Sequence, residues 1–119
     1  MGRQAFLPFL VLAGLVMSAC GSDDVSRALG ARCEDHGDCQ DVCLPPEPDY
    51  PGGFCTASCT TDSQCPSGSG CVDREDGVCL FLCLDNKDCE FLGETDGHSW
   101  LCSNEDAKGG GSLNVCVGQ

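Results

Sequence analysis

The sequence predicts a small disulfide-rich fold: three tandem four-cysteine modules with short β-hairpins, and little helix outside an N-terminal signal segment. Three observations lead there. Cysteine occurs 13 times in 119 residues, a density that in a short exported chain marks a cross-linked scaffold and not a set of free thiols. Apolar supply is thin, since from Cys20 onward Leu, Val and Phe together make up 17 of 100 residues and Ile is absent, fewer than the roughly 20 % below which a charged chain ordinarily stays unfolded. The last 12 cysteines repeat in spacing, so cross-links take over part of the task of a core; a bridge closing a loop of about 15 residues removes on the order of 3 kcal/mol of unfolded-chain entropy.

The chain opens with a positive charge at Arg3, followed by the 13-residue apolar run Ala5 to Met17, broken only by Pro8, and then by the small residues Ser18 and Ala19 before Cys20. This is a signal-peptide layout. The run is shorter than the roughly 20 residues of a spanning helix, and the polar stretch Gly21-Ser22-Asp23-Asp24 follows at once. Two processing outcomes fit. The stretch Val16-Met17-Ser18-Ala19-Cys20 resembles the lipobox of bacterial lipoproteins, and the resemblance implies cleavage before Cys20 with diacylglycerol on its sulfur. Residues 1–19 are then the signal peptide and 20–32 a lipidated N-terminus and flexible tether, of which the 12 residues after Cys20 reach about 40 Å when extended. Ordinary signal peptidase cleavage after Gly21, with Ala19 and Gly21 as the small specificity residues, releases a soluble secreted protein instead. Both outcomes leave 12 cysteines, an even number able to pair completely. With an anchor, the expected location is the bacterial outer membrane or cell surface, because Gly21 and Ser22 offer no acidic inner-membrane retention residue.

From Cys33 the cysteines form three groups of four, bounding modules at 33–55, 59–79 and 83–116 of a cysteine-rich domain over 33–116. The first gap is five residues in every group, and the joints Thr56-Ala57-Ser58 and Leu80-Phe81-Leu82 are both Cys-x3-Cys. Within the first gaps, Asp35, Asp62 and Asp85 are suited to cap a single helical turn through a side-chain bond to backbone N–H. Turn residues Pro51-Gly52-Gly53, Asp76-Gly77 and Gly109-Gly110-Gly111 precede Phe54-Cys55, Val78-Cys79 and Val115-Cys116, which reads as one hairpin per module. In the middle group the tight loop Asp73 to Gly77 joins Cys71-Val72 to Val78-Cys79. Sequence alone leaves the pairing open, and a group closing on itself has three arrangements. The expected one is first with third and second with fourth: Cys33 with Cys43, Cys39 with Cys55, Cys59 with Cys71, Cys65 with Cys79, Cys83 with Cys102, and Cys89 with Cys116.

Over residues 33 to 116 the pattern is similar to the cysteine-rich modules of exported lipoproteins from myxobacteria and related bacteria. More distantly it resembles the Dickkopf N-terminal, colipase-like cysteine-rich domain. The resemblance rests on cysteine spacing plus Asp and Gly placement, and it brings no signalling or lipase-related role with it.

Catalytic chemistry is not expected. There is no Cys-x2-Cys for a redox pair or zinc knuckle, and no Gly-x-Ser-x-Gly or His-Glu-x-x-His. The two histidines, His36 and His98, read as solvated loop residues. No cofactor or metal is expected, although Asp73, Glu75 and Asp76, or Asp85, Asn86 and Asp88, are the stretches that would supply oxygen ligands to calcium. The chain from Cys20 carries five Lys and Arg against 19 Asp and Glu, a net charge of −14, which disfavours nucleic acid and anionic lipid surfaces. Trp100-Leu101 and Leu80-Phe81-Leu82 are the concentrated apolar features, expected to pack on disulfides; Phe81, Phe91 or Trp100 standing exposed would mark an anchor for an unknown protein partner. The expected function is a membrane-anchored extracytoplasmic lipoprotein, a non-catalytic binding or structural module whose membrane partner is lipid through acylated Cys20. The alternatives are a freely secreted inhibitor or toxin-like effector, or a calcium-dependent adhesion module.

Overall fold

The computed structural model describes residues 25–93 and 99–119; the signal segment, Cys20 and His98 lie outside them. The described residues form a small cysteine-rich fold of three antiparallel hairpins, each preceded by a single turn of 3₁₀ helix. The constant five-residue gap is explained by that turn, at His36–Asp38, Asp62–Gln64 and Asn86–Cys89. In each, the residue before the second cysteine folds back over the turn: Asp38 Oδ2 accepts from the Glu34 N–H (2.9 Å), Gln64 Oε1 from the Thr60 N–H (2.6 Å), and Asp88 Oδ2 from the Leu84 N–H (2.7 Å). Asp35 and Asp85 cap their turns, accepting from the N–H of Gly37 (2.9 Å) and of Lys87 (3.0 Å). Asp62 does not. It stands one place later than the other two after its first cysteine, Thr61 occupies the cap position, and the Asp62 carboxylate reaches the Cys71 N–H instead. After the third turn the chain continues into one turn of helix, α1 (Glu90–Gly93).

The hairpins pair β1 (Val42–Leu44) with β2 (Phe54–Thr56), β3 (Ser69–Val72) with β4 (Val78–Phe81), and β5 (Trp100–Asp106) with β6 (Ser112–Gly118). The β3–β4 turn is closed by the Gly77 N–H on the Arg74 carbonyl at 2.7 Å, with Glu75 and Asp76 at φ 49° and 68°, the two positive angles of a type I′ turn. In all three hairpins the third and fourth cysteines are cross-strand partners: Cys43 opposite Cys55, Cys71 opposite Cys79, Cys102 opposite Cys116. They do not bond each other. The bridges are Cys33–Cys43, Cys39–Cys55, Cys59–Cys71, Cys65–Cys79, Cys83–Cys102 and Cys89–Cys116, with Cα separations of 5.3–6.0 Å. Each hairpin is thus tied at a single rung to both ends of its turn.

Residues 26–31 differ from the expected tether. The Gly30 N–H donates to the Cys55 carbonyl (2.7 Å) and the Cys55 N–H to the Ala31 carbonyl (2.8 Å), while Leu29 is buried. The reason is visible in the repeat: Gly30-Ala31-Arg32 precedes Cys33 as Thr56-Ala57-Ser58 precedes Cys59. There the Cys79 N–H donates to the Ala57 carbonyl (3.2 Å), and the Thr56 hydroxyl both donates to the Cys79 carbonyl (2.6 Å) and accepts from its N–H (3.0 Å). Each of these segments lies along the last strand of the module it introduces.

One core draws on all three modules, while Cys33, Cys39, Cys43 and Cys55 form a second cluster within the first. Phe54 from the first packs against Phe81 edge-on at 6.0 Å and against Trp100 at 5.7 Å, with Tyr50 and Phe91 extending the chain of rings at 6.4 and 5.1 Å. Phe81 and Trp100 are both buried, in a core that also takes in the half-cystines Cys59, Cys71, Cys79, Cys83, Cys89 and Cys116.

Two glycines hold the lead-in segments close. Gly53 (φ 84°) and Gly77 (φ 106°) stand where a Cβ would overlap the carbonyl oxygens of Cys33 and Cys59. Gly53→Ala and Gly77→Ala are expected to cost several kcal/mol, since backbone must move as well as φ. Gly109→Ala, in open space at the tip of the third hairpin, is expected to change stability by less than about 0.5 kcal/mol; thermal melts of the three variants make the comparison.

Candidate functional site

Where each chemistry-bearing residue sits follows from the turn geometry. The residue in the middle of each five-residue gap turns its acceptor onto the backbone N–H of that module's third cysteine. His36 Nδ1 accepts from the Cys43 N–H, Asp62 Oδ1 from the Cys71 N–H and Asn86 Oδ1 from the Cys102 N–H, all at 2.9 Å. Three different side chains make one bond, and it is the bond that seats the turn on the hairpin. His36 is exposed, as expected of a loop histidine, and its Nδ1 acceptor adds a structural role by holding the Cys43 N–H. The expected repeat of Asp at the cap missed this role because chemistry varies while the acceptor is kept.

Several of the acidic residues are likewise engaged, while Glu75 and Asp76 are exposed. Asp85 and Asp88 accept from turn N–H groups and Asn86 from Cys102, so these oxygens point at backbone. Asp73 pairs with Lys108 at 3.6 Å. Backbone N–H bonds from Glu34 and Asp35 hold the Asp38 carboxyl below the usual range. The sulfurs lying within 4.8 Å of one another, such as those of Cys33, Cys39 and Cys43, belong to disulfides and present no thiolate for a metal.

Arg74, at the tip of the middle hairpin, joins all three modules. Its Nη1 donates to Asp49 Oδ2 at 3.0 Å and to the Tyr50 hydroxyl at 3.2 Å, its Nε donates to Glu105 Oε1 at 3.0 Å, and its guanidinium lies 6.0 Å from the Tyr50 ring centroid. Burial works against the charged guanidinium, but its bonds to Tyr50, Glu105 and Asp49 more than offset that and push its pKa up. Burial raises Tyr50, with Arg74 pulling the other way. For Glu105, burial acts upward but the hydrogen bonds from Ser103 and Arg74 outweigh it and hold the carboxyl below its ordinary value. Asp49, Tyr50 and Glu105 lie in stretches that lengthen the outer modules, which is why no repeat signal marked them. A shallow groove of about 410 Å³ borders the same loop, lined by Pro46, Glu47, Pro48, Pro51, Gly52 and Gln119.

Among the expected site residues, the twelve cysteines from Cys33 to Cys116 form the scaffold, and Cys20 and His98 fall outside the described residues. Phe81 and Trp100 are buried and Phe91 is half-buried, so none of the three stands out as an anchor. Among the described residues no helix is long and apolar enough to cross a membrane.

His36→Asn, which installs the acceptor that Asn86 provides in the third module, is expected to stay within about 0.5 kcal/mol of the parent, whereas His36→Leu loses about 1–2 kcal/mol by stranding the Cys43 N–H. Equal losses in the two variants would remove the shared role. Arg74→Met is expected to cost about 1–2 kcal/mol, between the values of exposed and buried pairs. Because Glu105 is held low in the folded state, its contribution is present at neutral pH and lost as pH falls through the folded value; in Arg74→Met the acid limb of a stability–pH curve should become shallower.

No family model matches the chain, and no curated protein or solved structure matches it.

Proposed function

We propose that this chain is an exported lipoprotein, held at a membrane by an acyl group on Cys20, whose cysteine-rich domain is a non-catalytic binding or structural module. One observation carries the reading. The twelve cysteines of the repeat satisfy one another in six bridges, so the scaffold makes no demand on the sulfur of Cys20, which sits at the end of a signal-peptide layout in a lipobox-like setting. Six bridges also suit an oxidising, extracytoplasmic compartment. A non-catalytic role is supported by the engagement of His36 and of the turn carboxylates in local backbone bonds. Two or more acyl chains at one residue give stable attachment where one is marginal, and residence at the outer membrane or cell surface agrees with the residues after Cys20.

Labelled fatty acid fed to expressing bacteria is expected to enter the protein and to be lost in Cys20→Ala. The intact mature chain should weigh its sequence from Cys20 plus the diacylglyceryl group and any further acyl chain, less the hydrogens of six disulfides. An unacylated chain beginning at Ser22 would replace this reading with free secretion.

A further inference from the structure

The three modules supply their own comparison. The residues on either side of the first cysteine are Arg32 and Glu34 in the first module, Ser58 and Thr60 in the second, and Leu82 and Leu84 in the third. All six are exposed. Cys83 between the leucines is buried, so the chain runs outward, inward, outward through this stretch. The fold keeps these positions in water in every module, and the third alone fills them with apolar side chains, Leu82 at 45 % and Leu84 at 90 % exposure. Leu113, half-buried at the edge of the core, lies beside Leu82: its Cδ1 and the Cδ2 of Leu82 both lie over Gly70, 2.7 and 3.3 Å from where a Cβ would stand.

The presentation is rigid. The Leu82 N–H donates to the Gly68 carbonyl (3.0 Å), the Leu84 N–H is held by Asp88 (2.7 Å), and bridges from Cys83 to Cys102 and from Cys89 to Cys116 flank the stretch. Its surroundings are acidic. The Asp62 carboxylate lies 3.6 Å from the same Gly70 point, and Asp85 and Asp88 follow Leu84, with Lys87 as the basic neighbour.

We propose that Leu82, Leu84 and Leu113 form a docking surface for a protein partner that presents an apolar face edged by Lys or Arg. Charge complementarity selects this occupant. A second copy would bring the same acidic surroundings against themselves, and an anionic bilayer repels a chain of net charge −14 from Cys20 onward. A basic-edged protein is attracted by the rim and pays little ordering entropy on meeting pre-organised leucines. The surface develops the binding side of the function proposed above and is independent of acylation at Cys20.

The test pairs the parent with Leu82→Ser/Leu84→Thr, which carries the residues that the second module holds at these positions and is expected to melt as the parent does. The exported, purified protein is placed in phosphatidylcholine bicelles, and a synthetic amphipathic Lys/Leu peptide is titrated in with methyl NMR as the readout. Saturable binding with shifts centred on Leu82, Leu84 and Leu113, weakened at least tenfold in the double variant, is the expected result. Equal affinity for both proteins overturns the proposal, since charge alone would then hold the peptide. So does bleaching of the leucine methyls by a fatty-acid spin label before peptide is added, which would put lipid on the patch. Self-association of the parent in sedimentation, abolished by the double variant, would assign the surface to a second copy and overturns it as well. The acyl mass of the same sample reports the anchor separately, so failure of the docking surface and failure of the lipoprotein reading are scored apart.

Discussion

In each module two disulfides leave the ends of one turn and arrive at one rung of one hairpin, where the third and fourth cysteines face each other across the strands. Two bridges at a single rung fix both the distance and the rotation of turn against hairpin, a placement that elsewhere needs a layer of packed side chains. The sulfurs occupy the space between turn and hairpin, which leaves the few large apolar residues available for the seams between modules. Phe54, Phe81 and Trp100 are used there, so a chain poor in Leu and Val still assembles three small units into one body.

The repeat conserves a physical function more strictly than a residue type. The acceptor on the third cysteine's N–H is an imidazole nitrogen, a carboxylate oxygen and an amide oxygen in turn. The group folding back over the turn is Asp, Gln, then Asp. What each place requires is an acceptor of suitable reach, because a buried or half-buried backbone N–H left unpaired is costly whatever the identity of its missing partner.

Cysteine spacing made the modules, the turns and the hairpins legible, because a covalent cross-link imposes its geometry wherever it occurs and turn glycines mark where the chain reverses. The lead-in Gly30-Ala31-Arg32 was legible in principle, as the counterpart of Thr56-Ala57-Ser58 without a cysteine ahead of it; its low complexity concealed it. The Arg74 node was not. Its partners Asp49, Tyr50 and Glu105 come from loop and strand extensions that differ in length between modules, and contact between them exists only once the seams have formed. The leucine surface was hidden for a related reason: Leu80-Phe81-Leu82 reads as one apolar block, yet β4 is covered on both faces up to Phe81 and Leu82, just past its end, is exposed.

The docking of residues 26–31 on β2 changes the scale on which an anchor would act. With that segment part of the fold, its first residue Ser26 stands six positions after Cys20 in the sequence, so an acylated sulfur would lie at most about 20 Å of chain away from it. That is comparable to the thickness of a headgroup layer with its first shells of water. A domain so held would stay close to the surface of a membrane and meet ligands that come to the lipid plane.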